Sequence, residues 1–133
     1  MNQMETAETF SDEISVLIAD DEAPFVEMIK TMMSAERGIS VVATARDGRL
    51  AVQLARELRP DVIVMDVSMP VMDGIEATRV ILEEDPNATV MILTGGTAPA
   101  DVDRARKAGA AAYITKDRIA TDLIAETRNL GRK

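Results

Sequence analysis

Four apolar residues in succession, Val62-Ile63-Val64-Met65, run straight into a carboxylate, Asp66, and then into Val67-Ser68-Met69-Pro70-Val71-Met72-Asp73-Gly74. An unbroken apolar run, unlike an alternating one, is the pattern of a strand covered on both faces, as in parallel sheets flanked by helices. Pro70 has no N–H to give a ladder and Gly74 is free to take a positive φ, so the strand is expected to stop here and a helix to begin beyond. A chain with such a strand must supply neighbours for its two edges and cover for its two faces. The strand also delivers one acidic side chain to its carboxyl end, where α/β sheets place their ligands.

The rest of the chain supplies those parts in alternation. Ile14 to Ala19 reads as a buried strand ending in Asp20-Asp21. Phe25, Ile29, Met32 and Met33 recur at helical spacing behind Pro24, which predicts a helix from about Ala23 to Ala35 with Gly38 as its closing C′ residue. Met28, Met32 and Met33 read as core. Ile39 to Ala45 is a second strand, and Asp47 suits the N-cap of a helix whose inner face is Leu50, Ala51, Leu54 and Leu58, stopped by Pro60. Beyond Gly74 a third helix carries Ile75, Thr78, Val80, Ile81 and Leu82 and closes at Glu83-Glu84-Asp85-Pro86.

Thr89 to Leu93 is a fourth strand, followed by Thr94 and Gly95-Gly96. Thr97 or Ala98 with Pro99 opens a fourth helix, about Ala100 to Ala108, whose apolar stripe is only Ala100, Val102, Ala105 and Ala108. So weak a stripe predicts loose packing and a mobile helix. Gly109 ends it, Ala111 to Thr115 is a fifth strand with Lys116 at its end, and a last helix from about Ile119 to Leu130 turns Ile119, Leu123, Ile124 and Thr127 inward. Five strands alternating with five helices give an α/β fold: a doubly wound, five-stranded parallel sheet with helices on both faces, connected by right-handed crossovers.

Composition matters mainly for what it excludes. At 133 residues, one domain over 14–133 is expected, behind a polar, non-periodic tail over 1–13 that reads as flexible. The only aromatics are Phe10, Phe25 and Tyr113, so aliphatics and nine Met must build the core. The net charge of −8 repels nucleic-acid phosphates and anionic lipid, so neither is an expected partner. Without Cys there is no disulfide or thiolate chemistry, and without His the usual general base and commonest metal ligand are missing. No signal-peptide pattern and no run of membrane-spanning length occurs, so the expected location is the cytoplasm.

Four of the five strands end in polar residues: Asp20-Asp21, Asp66, Thr94 and Lys116. Each alone has an ordinary reading as a helix cap, turn residue, strand end or surface charge. In the strand order 2-1-3-4-5, however, the first and third strands are neighbours, and three carboxylates converge at the switch point. Three carboxylates so close repel unless a cation sits among them, and with no His or Cys an oxygen-seeking ion, Mg²⁺ or Mn²⁺, fits best. Lys116 adds a positive charge beside Asp66 and Thr94 adds a hydroxyl donor. Together they can grip the oxygens of a phosphoryl group, with Asp66 as a nucleophile that is already ionised at neutral pH.

With these residues in place, the chain from about Ile14 to Leu130 resembles the receiver domain of bacterial two-component response regulators, the CheY-like family. The resemblance rests on the acidic pair, the run from Met65 to Gly74, Thr94 with small Gly95 after it, and Tyr113 three residues before Lys116. It implies a flavodoxin-like fold with Asp66 as phosphoacceptor. It implies Asp21 and Asp66 as direct Mg²⁺ ligands, Asp20 as a further ligand or one acting through water, and the Ser68 carbonyl completing the set. It implies Lys116 and Thr94 on the phosphoryl oxygens, and Thr94 with Tyr113 as a switch pair reporting through the fourth helix, fifth strand and fifth helix. The implied partners are a histidine kinase or phosphotransfer protein upstream and an unidentified protein or output domain downstream, with phosphorylation favouring a homodimer or partner complex.

Two positions depart from the common pattern. Asp117 stands where many members have Pro, a variant resembling receivers joined to helix-turn-helix DNA-binding domains, although the sequence ends at Lys133. Ser68 and Gly96 occupy the positions that tune phosphoryl lifetime, and neither is bulky enough to screen the group from water, which predicts a short lifetime. The reading is of a switch that assists its own modification, stand-alone or truncated, more than an enzyme acting on others. The alternatives are the regulatory part of a DNA-binding factor, a phosphorylation-independent module of the same fold, and a haloacid-dehalogenase-like phosphatase. The last requires a second Asp where this chain has Ser68.

Overall fold

The computed structural model describes residues 13–96 and 99–131. The expected tail, apart from Glu13, and the expected helix openers Thr97 and Ala98 lie outside the described residues. In chain order the elements are β1 (Ile14–Ala19), α1 (Ala23–Ser34), β2 (Ile39–Ala45), α2 (Gly48–Leu58), β3 (Val62–Asp66), α3 (Gly74–Glu84), β4 (Val90–Thr94), α4 (Pro99–Ala108), β5 (Ala112–Thr115), a 3₁₀ turn (Lys116–Arg118) and α5 (Ile119–Gly131). The five strands are parallel in the order 2-1-3-4-5.

Strand β3 is apolar throughout because each of its faces meets a different core. Val62 and Val64 point with Val16, Ile18, Met91 and Leu93 toward Ile29 and Met33 of α1 and Ile119 and Leu123 of α5. Ile63 and Met65 point with Leu17, Ala19, Val90 and Ile92 toward Ala51 and Val52 of α2, Ala77 and Ile81 of α3 and Ala105 of α4. Each Ile or Leu buried in this way contributes about 2 kcal/mol of transfer free energy. At the outer edge, β2 carries a bulge. Val41 pairs with Val16 and Ala43 with Leu17, leaving exposed Val42 as the extra residue, which interrupts an edge open to unwanted pairing.

Several helix faces differ from expectation. On α2 the buried residues are Gly48, Ala51, Val52 and Ala55, while Leu50 and Leu54 flank the contact and Leu58 is 44 % exposed. The helix leans on α3 as well as on the sheet, and Arg56 reaches Glu84 with two hydrogen bonds of 3.1 and 2.8 Å, so the buried stripe is rotated toward the neighbouring helix. Ala77 joins the buried face of α3, and on α4 Ala105 is buried whereas Ala100 is exposed. Met33 is buried, Met32 packs at the margin of the core and Met28 is exposed. Gly38 is not the C′ residue of α1: the cap is Ala35, and Gly38, with φ +86°, turns the chain into β2 three residues later. No described helix is long and apolar enough to cross a membrane.

Candidate functional site

Strand register brings the polar residues together. Ala19 pairs with Met65, so Asp20 and Asp66 emerge side by side at the carboxyl rim. Asp66 pairs with Leu93 and Thr94 with Thr115, which sets Thr94 and then Lys116 on the same rim. Asp20, Asp66 and Thr94 are buried, whereas Asp21 is exposed. Beyond Asp66 the chain bends sharply. The Pro70 carbonyl accepts the Met72 N–H at 2.7 Å around Val71, which takes φ +70° and is 73 % exposed. This is a γ-turn in a conformation costly for a β-branched residue.

Asp73 then caps α3 by accepting the Glu76 N–H at 2.8 Å. Gly74 is needed for a different reason from the one expected. Its φ is not positive; a Cβ there would collide with the carbonyl oxygen of Asp66. The Gly74 N–H donates to the Val67 carbonyl at 2.8 Å, which draws the start of α3 tightly under the phosphoacceptor candidate.

Lys116 is the cation of the rim. Its Nζ lies 3.3 Å from Asp66 Oδ1, 3.2 Å from Asp20 Oδ2 and 3.3 Å from Glu22 Oε1, and its side chain is 12 % exposed. The face of Phe25 lies on another side, with its centroid 4.1 Å from Nζ. Burial, reinforced by the negative charge of Asp20 and partly opposed by Lys116, pushes the Asp66 carboxyl up to about 6. Burial disfavours the charge on Lys116, yet Asp66, Asp20 and Glu22 together overcome it and raise the ammonium above its ordinary value. With Asp21, three carboxylates face one ammonium here, so negative charge remains uncompensated even before Glu22 is considered.

The donor set fits a hard divalent cation. Oxygens of Asp20, Asp21 and Asp66 lie within 4.8 Å of one another, and Asp20 Oδ2 is buried without a hydrogen-bond donor aligned on it, although Lys116 is near. Asp20 Oδ1 is engaged by the Glu22 N–H at 2.9 Å, which leaves Oδ2 as the oxygen available to an ion. Ser68 lines the same hollow as Asp21, Asp66 and Lys116.

The remaining sequence candidates sit toward β5. Thr94 Oγ1 accepts the Gly96 N–H at 3.2 Å, and the half-buried Tyr113 donates its hydroxyl to the Gly96 carbonyl at 3.5 Å. The two candidates for the switch pair are thus joined through one glycine. Sequence reasoning missed two parts of the site, Glu22 and Phe25. Glu22 was hidden in an acidic run, and Phe25 sat on the apolar stripe of α1, where it also packs against the core.

The chain is similar to known proteins. Chemotaxis protein CheY of Thermotoga maritima is 41 % identical over 101 residues, covering 76 % of this chain and 83 % of that protein. Transcriptional regulatory protein LnrK of Bacillus subtilis is 34 % identical over 111 residues, covering 84 % of this chain and 50 % of LnrK, so the chain spans half the length of that relative. Among solved structures, the CheX-CheY-BeF3-Mg²⁺ complex from Borrelia burgdorferi matches with a TM-score of 0.82 at 28 % identity, covering 90 % of each chain. The family model for the response regulator receiver domain matches residues 16–128, and with the 2-1-3-4-5 sheet and its acidic rim the chain belongs to that family.

Proposed function

We propose that Asp66 accepts a phosphoryl group from a histidine kinase or phosphotransfer protein and that the domain reports the change to a downstream partner. The observation that carries this reading is the contact of Lys116 Nζ with Asp66 Oδ1 at 3.3 Å, inside a set of three converging carboxylates. A carboxylate oxygen of Asp66 attacks phosphorus, the bond from phosphorus to the donor's nitrogen or acyl oxygen breaks, and the leaving group departs with that electron pair. The ordinary ionised state of a carboxylate near neutral pH means that no base is required. The Lys116 ammonium and the Thr94 hydroxyl would take up the charge on the transferred oxygens. Asp20, Asp21, Asp66 and the Ser68 carbonyl would hold Mg²⁺, which when bound neutralises the crowded carboxylates and the incoming phosphoryl oxygens.

Thr94 moving toward the phosphoryl group would release the Gly96 segment, to which Tyr113 is tied, and so alter the face formed by α4, β5 and α5. A solved relative supports the metal and partner readings: the Borrelia burgdorferi CheY is in a complex with CheX, BeF3 and Mg²⁺. The match to half of LnrK, a transcriptional regulatory protein, favours a second reading as the regulatory part of a DNA-binding factor. Ser68 and Gly96 are both exposed and small, leaving water a path to the acyl phosphate, and the expected lifetime is short. Retention of the phosphoryl group for many hours with Mg²⁺ would contradict that.

The test is intact mass after incubation with acetyl phosphate and MgCl₂. One added phosphoryl group, lost in Asp66→Asn and with chelator, is expected. No addition to wild type, with acetyl phosphate or with a phosphorylated phosphotransfer protein as donor, would point to a phosphorylation-independent module.

A further inference from the structure

Phe25 is one of three aromatic residues in a chain whose core is otherwise built from aliphatics and Met, and it stands at the acidic rim. Its N–H donates to the Glu22 carbonyl at 3.0 Å, which fixes the first turn of α1 beside Asp20 and Asp21. Its side chain is half-buried against the core and lines the same hollow as Asp66 and Lys116. If apolar volume were all that mattered here, Leu or Met would suffice. The ring adds a face of negative potential 4.1 Å from an ammonium that already has three carboxylates within 3.3 Å.

A lysine stem has four rotatable bonds, and its strongly hydrated head goes where water and charge draw it. Of the three carboxylates on Lys116, Asp20 and Asp66 are buried, while Glu22 is on the solvent side and draws the ammonium outward. The ring lies under the ammonium, its centroid 4.1 Å from Nζ, and rewards only positions of Nζ over its face.

We propose that Phe25 is a positioning residue for Lys116, its ring holding the ammonium against Asp66 so that the charge is in place when the phosphoryl group arrives. The ring touches no reacting atom; it acts through Lys116. The inference rests on the phosphoacceptor reading of Asp66.

The test uses the full chain as wild type, Phe25→Leu and Phe25→Tyr, each first checked by urea denaturation. Rates of phosphoryl uptake from acetyl phosphate with MgCl₂ are read by intact mass, and the Lys116 ε-protons by NMR with labelled lysine. Wild-type ε-protons should be shifted upfield by the ring. Phe25→Leu should lose that shift and take up phosphoryl about fivefold to tenfold more slowly, while Phe25→Tyr keeps both within about twofold. Wild-type ε-protons without an upfield shift, an unslowed Phe25→Leu, or equal slowing in the two variants would each overturn the inference while leaving the phosphoacceptor reading standing. A wild type that takes up no phosphoryl group overturns both.

Discussion

On the β1 side of Asp66 the buried strands β1 and β3 deliver Asp20 and Asp66, and Lys116, reaching over from the end of β5, ties the two together. On the β5 side the chain leaves β4 through Gly95-Gly96 and continues into α4, whose one buried side chain among those described is Ala105. Fixed charges need a rigid frame, because a shift of an ångström changes their attraction and exposes them to water. A reporting surface needs the opposite, two arrangements close in free energy, and sparse packing supplies that. Under the proposed function, the two flanks of one rim would divide holding from responding.

The division breaks most severely at Lys116. In Lys116→Met the carboxylates of Asp20 and Asp66 lose their shared cation while remaining buried. Without divalent metal the variant should be about 3 kcal/mol less stable in urea denaturation. Its phosphoryl uptake should fall on the order of 100-fold in the mass assay. Unchanged stability would show that the rim tolerates the bare carboxylates.

Core truncation on the two flanks should separate next. Ile63 is fully buried on β3 between α2 and α3, and Ile63→Ala should cost about 3 kcal/mol. Val102 on α4 is only half-buried, and Val102→Ala should cost less than about 1 kcal/mol. Equal losses would mean that α4 is packed as firmly as the centre of the sheet.

The pH dependence comes from Asp66. Its folded value of about 6 is raised from an ordinary value of 3.8, because burial and then Asp20 disfavour the ionised form. Between those values the folded state holds a proton that the unfolded chain has released. The stability this group contributes is therefore complete below about pH 4 and is lost as pH rises through about 6, in total roughly 2–3 kcal/mol. Asp66→Asn, neutral throughout, should match wild type near pH 4 and exceed it by roughly that amount at pH 7 in the absence of divalent cations. Saturating MgCl₂ should narrow the gap. Wild type at least as stable as Asp66→Asn at pH 7 without metal would refute the raised value.

How much of this was legible in the sequence follows from the range of the interactions. The strands were legible because a doubly covered strand must be apolar throughout, and the β1–β3 adjacency then put Asp20 beside Asp66 with no further information. What stayed hidden depends on contacts between distant residues or on backbone detail. Glu22 and Phe25 meet Lys116 across more than ninety positions, and nothing periodic links them. Leu58 fits the helical stripe but is exposed, because α2 is turned toward α3. Gly74 was recognisable as necessary, yet the reason, close approach to the Asp66 carbonyl, needed coordinates. The positive φ fell instead on Val71, which carries no sequence signal for it.

The smallest expected effect concerns the tie between the two flanks. Arg104 of α4 lies 3.7 Å from Asp73, the N-cap of α3, and 3.6 Å from Asp101 one turn earlier on its own helix. These side chains are largely in solvent, 52 % exposed for Arg104 and 43 % for Asp73, so water and salt screen the attraction. Arg104→Ala should therefore lower global stability by less than about 0.5 kcal/mol. A helix whose one buried side chain among those described is an alanine is nevertheless more sensitive to a weak tether than the sheet is. Amide exchange in α4 should quicken in the variant at low salt, while β1 and β3 stay unchanged, and raising the salt should bring wild type toward the variant. If exchange quickened equally in β3, the tether would belong to the rigid flank, and the boundary between holding and responding would have to be moved to the far side of α4.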